Sequence, residues 1–179
     1  LVTIKETGVS AVSVGDLLTQ NLTIPEYQRP YSWEPAMALQ LVDDLLDAQG
    51  KSADVPYVLG AVILHERDGT LDVVDGQQRL LTLRMIFAIL KADELISVDE
   101  KNETPVIQVW RALQRKLATL QDSGQEALLH FIHTQCQVVR VVTDDLDEAF
   151  RVFDSQNYRG KPLAPHDLLK AHHLREMQG

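Results

Sequence analysis

The chain has 179 residues, 45% of them hydrophobic, which is enough apolar material for one full core, or for one domain with a second, smaller lobe. Lys and Arg number 17 against 26 Asp and Glu, a net charge of -9, which argues against a broad nonspecific grip on nucleic acid unless basic residues cluster locally. No apolar run approaches the ~20 residues of a membrane span, and the single Cys136 excludes an internal disulfide and any multi-cysteine metal site. We therefore expect a cytoplasmic globular protein without a membrane partner, with Cys136 a buried structural thiol. The start at Leu1 instead of Met, and the stop at Gly179 within a charged helical segment, lead us to expect a piece of a longer chain.

Val2 to Lys5 reads as a short strand, and Ser13 can cap a helical turn through Asp16, Leu17 and Leu18. Between Leu22 and Trp33, Pro25 and Pro30 fix their own φ and bias the residues before them away from the helix, so the stretch is a stiff loop. Tyr27, Tyr31 and Trp33 crowd into this loop in a chain only 6% aromatic, with Gln28 and Arg29 between them. Two readings stand side by side: the aromatics and Arg29 stack a base and hold a phosphate, or the aromatics plug the core and Arg29 pairs with an acid. Pro35 suits a first helical turn, and Ala38, Leu41, Val42, Leu45 and Leu46 form the apolar stripe of an amphipathic helix ending near Gly50. Asp43, Asp44 and Asp47 solvate its outer face.

The continuous apolar run from Tyr57 to Leu64 reads as a buried strand, with Gly60 allowing close backbone approach. Asp68-Gly69 then supplies a hairpin turn into a second strand, Leu71 to Val74. Helical spacing begins immediately after Asp75-Gly76 and carries Leu80, Leu81, Leu83, Ile86, Phe87 and Leu90 as far as Ala92. A strand, a tight turn and a helix start at this point aim free backbone N-H groups and the positive end of a helix dipole at one place, which suits a phosphate. Arg79 adds a planar charged fork, Gln77 and Gln78 both donate and accept, and Gly76 opens the backbone to a ligand. The alternative is an ordinary turn in which Asp75 caps the helix and Gln77, Gln78 and Arg79 are solvated.

Beyond Asp93 a polar link, Asp99 to Glu103, leads into helices over Val106 to Leu120 and Glu126 to His133, separated by Asp122-Ser-Gly124. This divides the chain into a first domain over 1–93 and a mainly helical lobe over 94–179. His130 and His133 lie three apart on a helix but lack a third ligand, so they read as core or partner-facing histidines. Val138 to Val142 is a strand or extended segment, and Thr143 or Asp144 can cap the helix that follows through Phe150 and Phe153. Asn157 to Gly160 reads as a loop presenting Arg159 and Lys161, before a helix opened by Pro165 in which Asp167 and Lys170 lie one turn apart.

Taken together, Ile24-Pro-Glu-Tyr-Gln-Arg-Pro-Tyr-Ser-Trp33, Val74-Asp-Gly-Gln-Gln-Arg-Leu80, and Asn157-Tyr-Arg-Gly160 with Asp167-Leu-Leu-Lys170 resemble the N-terminal domain of GmrSD-type restriction systems. The resemblance covers nearly the whole chain and is weakest across its helical middle. It implies an α+β fold similar to ParB and sulfiredoxin, a small mixed sheet with helices followed by a helical lobe. It also implies a role in antiphage defence, in which nucleoside triphosphate (GTP or another) is bound or hydrolysed with Mg²⁺ and a His-Asn-His nuclease is licensed against modified phage DNA. By this resemblance Asp75, Gln78 and Arg79 are catalytic, with Arg79 on the phosphates and Asp75 positioning a water or Mg²⁺. Gly76, Gln77, Tyr27, Gln28, Arg29 and Tyr31 line the nucleotide cleft or a DNA-modification pocket, and Asn157, Arg159, Asp167 and Lys170 close it.

No His-Asn-His nuclease is evident, since His172-His173 stands near the terminus without partners. The competing reading is a module that senses a DNA modification without catalysis and controls a separate nuclease domain. A nuclease in its own right is disfavoured because three-residue spacing on a strand sets Asp72 and Asp75 on opposite faces.

Overall fold

The computed structural model describes residues 7–25, 30–51, 54–91 and 103–157, and these form two compact units. The strand expected at Val2 to Lys5 lies outside the described residues.

The first unit is a mixed sheet. Its strands are β1 (Gly8–Ser13), β2 (Leu22–Thr23), β3 (Tyr57–Arg67), β4 (Thr70–Asp75) and β5 (Cys136–Thr143), in the order β1-β5-β3-β4-β2. β5 runs parallel to β3 and antiparallel to β1, β3 and β4 form an antiparallel hairpin, and β2 pairs parallel to β4 through Leu22 and Thr23. β5 thus lies between two partners, and its valines Val138, Val139, Val141 and Val142, interrupted only by Arg140, are buried on both of its faces. β1 was not foreseen, because Gly8-Val-Ser-Ala-Val-Ser13 is short and weakly patterned and is held as an edge strand by its pairing with β5.

Helix α1 (Val14–Leu18) follows β1, with the Ser13 hydroxyl accepting from the Asp16 N-H as expected. One face of the sheet packs against a helix over Leu146–Asn157, numbered α6 below, through a core of Ile63, Val74, Val139, Val141 and Ala149. Its cap is Asp145 and not Thr143 or Asp144: the Asp145 carboxylate accepts from the N-H groups of Asp147 and Glu148. Thr143 serves one step earlier, its hydroxyl accepting from the Asp145 N-H and donating to Glu148.

A polar row closes the same sheet face. Thr23, Asp72, His65 and Thr143 are successive cross-strand partners on β2, β4, β3 and β5. The buried Asp72 carboxylate accepts from the Thr23 hydroxyl and from Arg67 Nε, and His65 Nδ1 lies 4.0 Å from it. His65 Nε2 is 3.3 Å from the Asp144 carbonyl, so the row also ties β3 to the start of α6.

The second unit is helical and contains α2 (Pro35–Lys51), α3 (Gln77–Lys91), α4 (Pro105–Ala118) and α5 (Asp122–Thr134), the division falling after Gln77. The expected stripe of α2 is the buried one, with Ala38, Leu41, Val42 and Leu45 inside, and α2 packs on α4 and α5. Asp43, expected to be merely solvated, pairs with Lys116 of α4 at 2.8 Å. Thr104 caps α4 and Pro105 opens it.

The break between α4 and α5 falls earlier than expected, at Thr119 to Gln121, and Asp122-Ser-Gly124 is the first turn of α5. Gln125 ties this turn to the end of α4: its side chain donates to the carbonyls of Leu117 and Leu120. α3 is apolar almost all round, with Leu80, Leu83, Met85, Ile86, Phe87 and Ala88 buried, and only Arg84 and Lys91 fully exposed. No helix among the described residues is long and apolar enough to cross a membrane.

Candidate functional site

The strand-turn-helix junction read from the sequence is present. β4 ends at Asp75 and α3 begins at Gln77, leaving Gly76 alone to turn the chain. Gly76 has φ +97°, a backbone region that L side chains rarely adopt. A β-carbon built there would lie 3.2 Å from Val62 Cγ2 and 3.4 Å from the Ala61 carbonyl oxygen of β3. The glycine therefore serves the turn and the close passage of chain against β3, which is a different use from ligand access. Its consequence is local and sharp: the first N-H groups of a fifteen-residue helix start directly at the end of a strand.

The five residues differ in exposure. Asp75, Gly76 and Arg79 are half-buried, whereas Gln77 and Gln78 are buried. Solvated first-turn glutamines are thus not what the chain builds.

Gln78 has a definite set of partners. Its Oε1 accepts from the Ser32 N-H at 2.8 Å and the Trp33 N-H at 3.2 Å, while Nε2 donates to the Pro30 carbonyl at 3.3 Å. A side-chain amide has two acceptor and two donor positions, so three of the four are spent on one loop.

Tyr31 lies on the same anchor. It is 8% exposed, and its hydroxyl stands 2.8 Å from the Thr82 hydroxyl. Thr82 gives its one proton to the Gln78 carbonyl at 2.8 Å, so Tyr31 donates to Thr82. Burial pushes the Tyr31 phenol above its ordinary range, against the smaller opposite pull of this hydrogen bond. Of the two sequence readings for the aromatic loop, Tyr31 follows the core one, and Trp33 is half-buried.

Simple strand alternation does not decide how Asp72 and Asp75 lie. The register shifts between Ile63 and Leu64, setting Asp75 opposite Ile63, and this irregularity breaks the alternation on which the opposite-face placement rests. Asp72 is committed to Thr23, Arg67 and the His65 side. Among the described residues no three His, Cys, Asp or Glu side chains gather as a metal cage. A magnesium ion brought by a nucleotide needs only one or two carboxylates beside the phosphates, and the half-buried Asp75 fits that donor role.

Tyr27, Gln28, Arg29, Arg159, Asp167 and Lys170 lie outside the described residues, and Asn157 is the last residue of α6 instead of the first of a loop. His130 and His133 are both exposed, so neither is a core histidine, although His133 meets the Phe87 ring edge-on at 6.2 Å between centroids. Cys136 is fully buried and its thiol is pushed up to about 12 by desolvation, which leaves no nucleophilic thiolate at neutral pH.

Sequence reasoning missed how Gln78, Thr82 and Tyr31 work together. The signal available was the i, i+4 spacing of Gln78 and Thr82 on one helix face, but nothing in the order of residues says that a loop more than forty positions away docks there.

Comparison with curated proteins finds no match. A family model described as the GmrSD restriction endonuclease, N-terminal domain, matches residues 14–174, a span that includes the Asp75 to Arg79 junction, the Pro30 to Trp33 anchor and the whole sheet apart from β1. The chain therefore belongs to the GmrSD restriction endonuclease N-terminal domain family, and with it to the restriction systems.

Proposed function

We propose that this domain binds a nucleoside triphosphate with Mg²⁺ at the Asp75 to Arg79 junction and hydrolyses it, and that the nucleotide state controls a nuclease acting on modified DNA. Membership of a restriction endonuclease family supports DNA and a nuclease domain as partners. The observation that carries the nucleotide reading is the single-residue turn at Gly76, which starts α3 directly at the end of β4. Helix N-termini placed in this way favour phosphate oxygens through the helix dipole and the direction of their first-turn N-H groups. Arg79, in the first turn, supplies a bidentate cation for developing phosphate charge. Asp75 holds the attacking water or the magnesium ion, and the metal, when bound, neutralises charge on the phosphates.

The test is calorimetric titration of GTP, ATP, CTP and UTP with Mg²⁺, with phosphate release followed in parallel and Arg79→Ala beside the unaltered protein. We expect one nucleotide to bind and be hydrolysed, with Arg79→Ala weakening binding by at least about 100-fold, the scale of losing a charge-assisted bidentate contact, and with little change in thermal stability. Binding and turnover that survive Arg79→Ala would move the nucleotide off this junction. Stoichiometric binding of modified DNA with no nucleotide bound would replace the reading with a non-catalytic sensing module.

A further inference from the structure

We infer that Gln78 is a positioning residue: it clamps the Pro30–Trp33 segment onto the first turn of α3, next to Arg79, and through that segment sets the affinity for nucleotide. This rests on the nucleotide reading above and changes the part that Gln78 plays in it. The sequence motif suggests a group that touches the phosphates, but both lone-pair positions of the Gln78 carbonyl already accept N-H groups, from Ser32 and Trp33, and its amide donates to Pro30. The side chain is 6% exposed, and turning it toward a ligand would break three part-buried hydrogen bonds at once. A glutamine amide has the donor and acceptor pattern of a peptide group, and here it pairs with three main-chain groups of one loop much as a neighbouring strand would.

The clamp is reinforced from the same helix one turn later. Tyr31 donates to Thr82, and Thr82 donates to the main-chain carbonyl of Gln78 itself, so residues on both sides of the loop's peptide groups are referred to one point on α3. What the clamp presents is Trp33, half-buried, whose N-H is one of the three groups held. Holding the Trp33 main chain narrows the positions open to its indole, so less freedom is lost when a planar ligand stacks on it. Gln78 therefore acts on affinity through the loop, and not on the reacting atoms.

The test uses Gln78→Ala and Gln78→Glu in a Trp110→Phe background, which leaves Trp33 as the sole reporter of the chain's two tryptophans. Glutamate still accepts from Ser32 and Trp33 but has no amide to donate to Pro30, so it should fall between glutamine and alanine. Amide hydrogen exchange at Ser32 and Trp33 is expected to quicken in Gln78→Ala while exchange at Ile107, held by the Thr104 cap of α4, stays unchanged. With Mg²⁺ and the hydrolysed nucleotide, KM should rise about tenfold, the equivalent of roughly one lost hydrogen-bonded anchor, while kcat stays within about twofold, as for an interaction equal in ground and transition states. Nucleotide should quench Trp33 emission in the parent and less in the variants.

A fall in kcat at unchanged KM would make Gln78 a catalytic residue and overturn the proposal, and so would unchanged exchange at Ser32 and Trp33. Faster exchange with KM, kcat and quenching all unmoved would reduce the clamp to a purely structural device, also overturning it. If the unaltered protein binds no nucleotide, the nucleotide reading itself fails and takes the coupling with it, whereas the exchange measurement still separates that failure from a failure of the clamp.

Discussion

Strand β4 is bracketed by the same dipeptide: Asp68-Gly69 leads into it and Asp75-Gly76 leads out of it. Both glycines take positive φ, +81° and +97°. In the hairpin Asp68 does so as well, at +53°, which is the backbone pattern of a type I′ turn, and a β-carbon on Gly69 would meet nothing within 4 Å. At Gly76 the same β-carbon would press on Val62 and the Ala61 carbonyl. The first turn needs glycine for conformation alone; the second needs it for conformation and for space. Two identical sequence signals thus have unequal structural content, and the difference lies in what β3 brings close to one of them.

The contrast is open to direct attack. Gly76→Ala carries the largest expected effect, a loss of about 3 kcal/mol from combined backbone strain and overpacking, read by denaturant unfolding, together with weaker nucleotide binding. Adding Val62→Ala removes the nearer contact, so the double variant should be less destabilised than the two single losses added, by about 1 kcal/mol in a mutant cycle; strict additivity would mean that crowding against Val62 plays no part. Gly69→Ala should cost only about 1 kcal/mol, the price of a left-handed alanine in open space. Gly69→Asn should lie within about 0.5 kcal/mol of the parent, since asparagine tolerates that conformation. If Gly69→Ala proved as damaging as Gly76→Ala, the distinction between the two turns would collapse.

Elements governed by their own residues were legible. The α2 stripe, the Ser13 cap, the Asp68-Gly69 hairpin and the all-round apolar α3 follow from periodicity and turn chemistry and appear as read. Val138 to Val142 was also legible as a strand or extended segment, but where it pairs, like other features that depend on a distant partner, was not. β5, which the sequence groups with the helical segments after residue 94, lies in the sheet between β1 and β3, because strand pairing is set by which edges are available and not by neighbours in the chain. The Thr143 and Asp144 caps gave way to Asp145 since three successive polar residues each can cap, and only the exact end of β5 chooses among them. Strand parity failed between Asp72 and Asp75 for a similar reason: a register shift has no sequence mark of its own.

The candidate site divides in the same way. That Asp75 to Arg79 joins a strand to a helix was determined by composition alone, since an apolar run, a glycine and a helical stripe in succession have few other solutions. The family too was carried by motif order. That Gln78 holds the protein together was decided only by tertiary structure, because it acquires its partners from Pro30, Ser32 and Trp33, residues more than forty positions earlier. Backbone geometry is local and is written in local residue types. Hydrogen-bond partnership in a core depends on what folding brings within about 3 Å, and an amide side chain that can serve a phosphate or a peptide group equally well takes whichever the fold supplies.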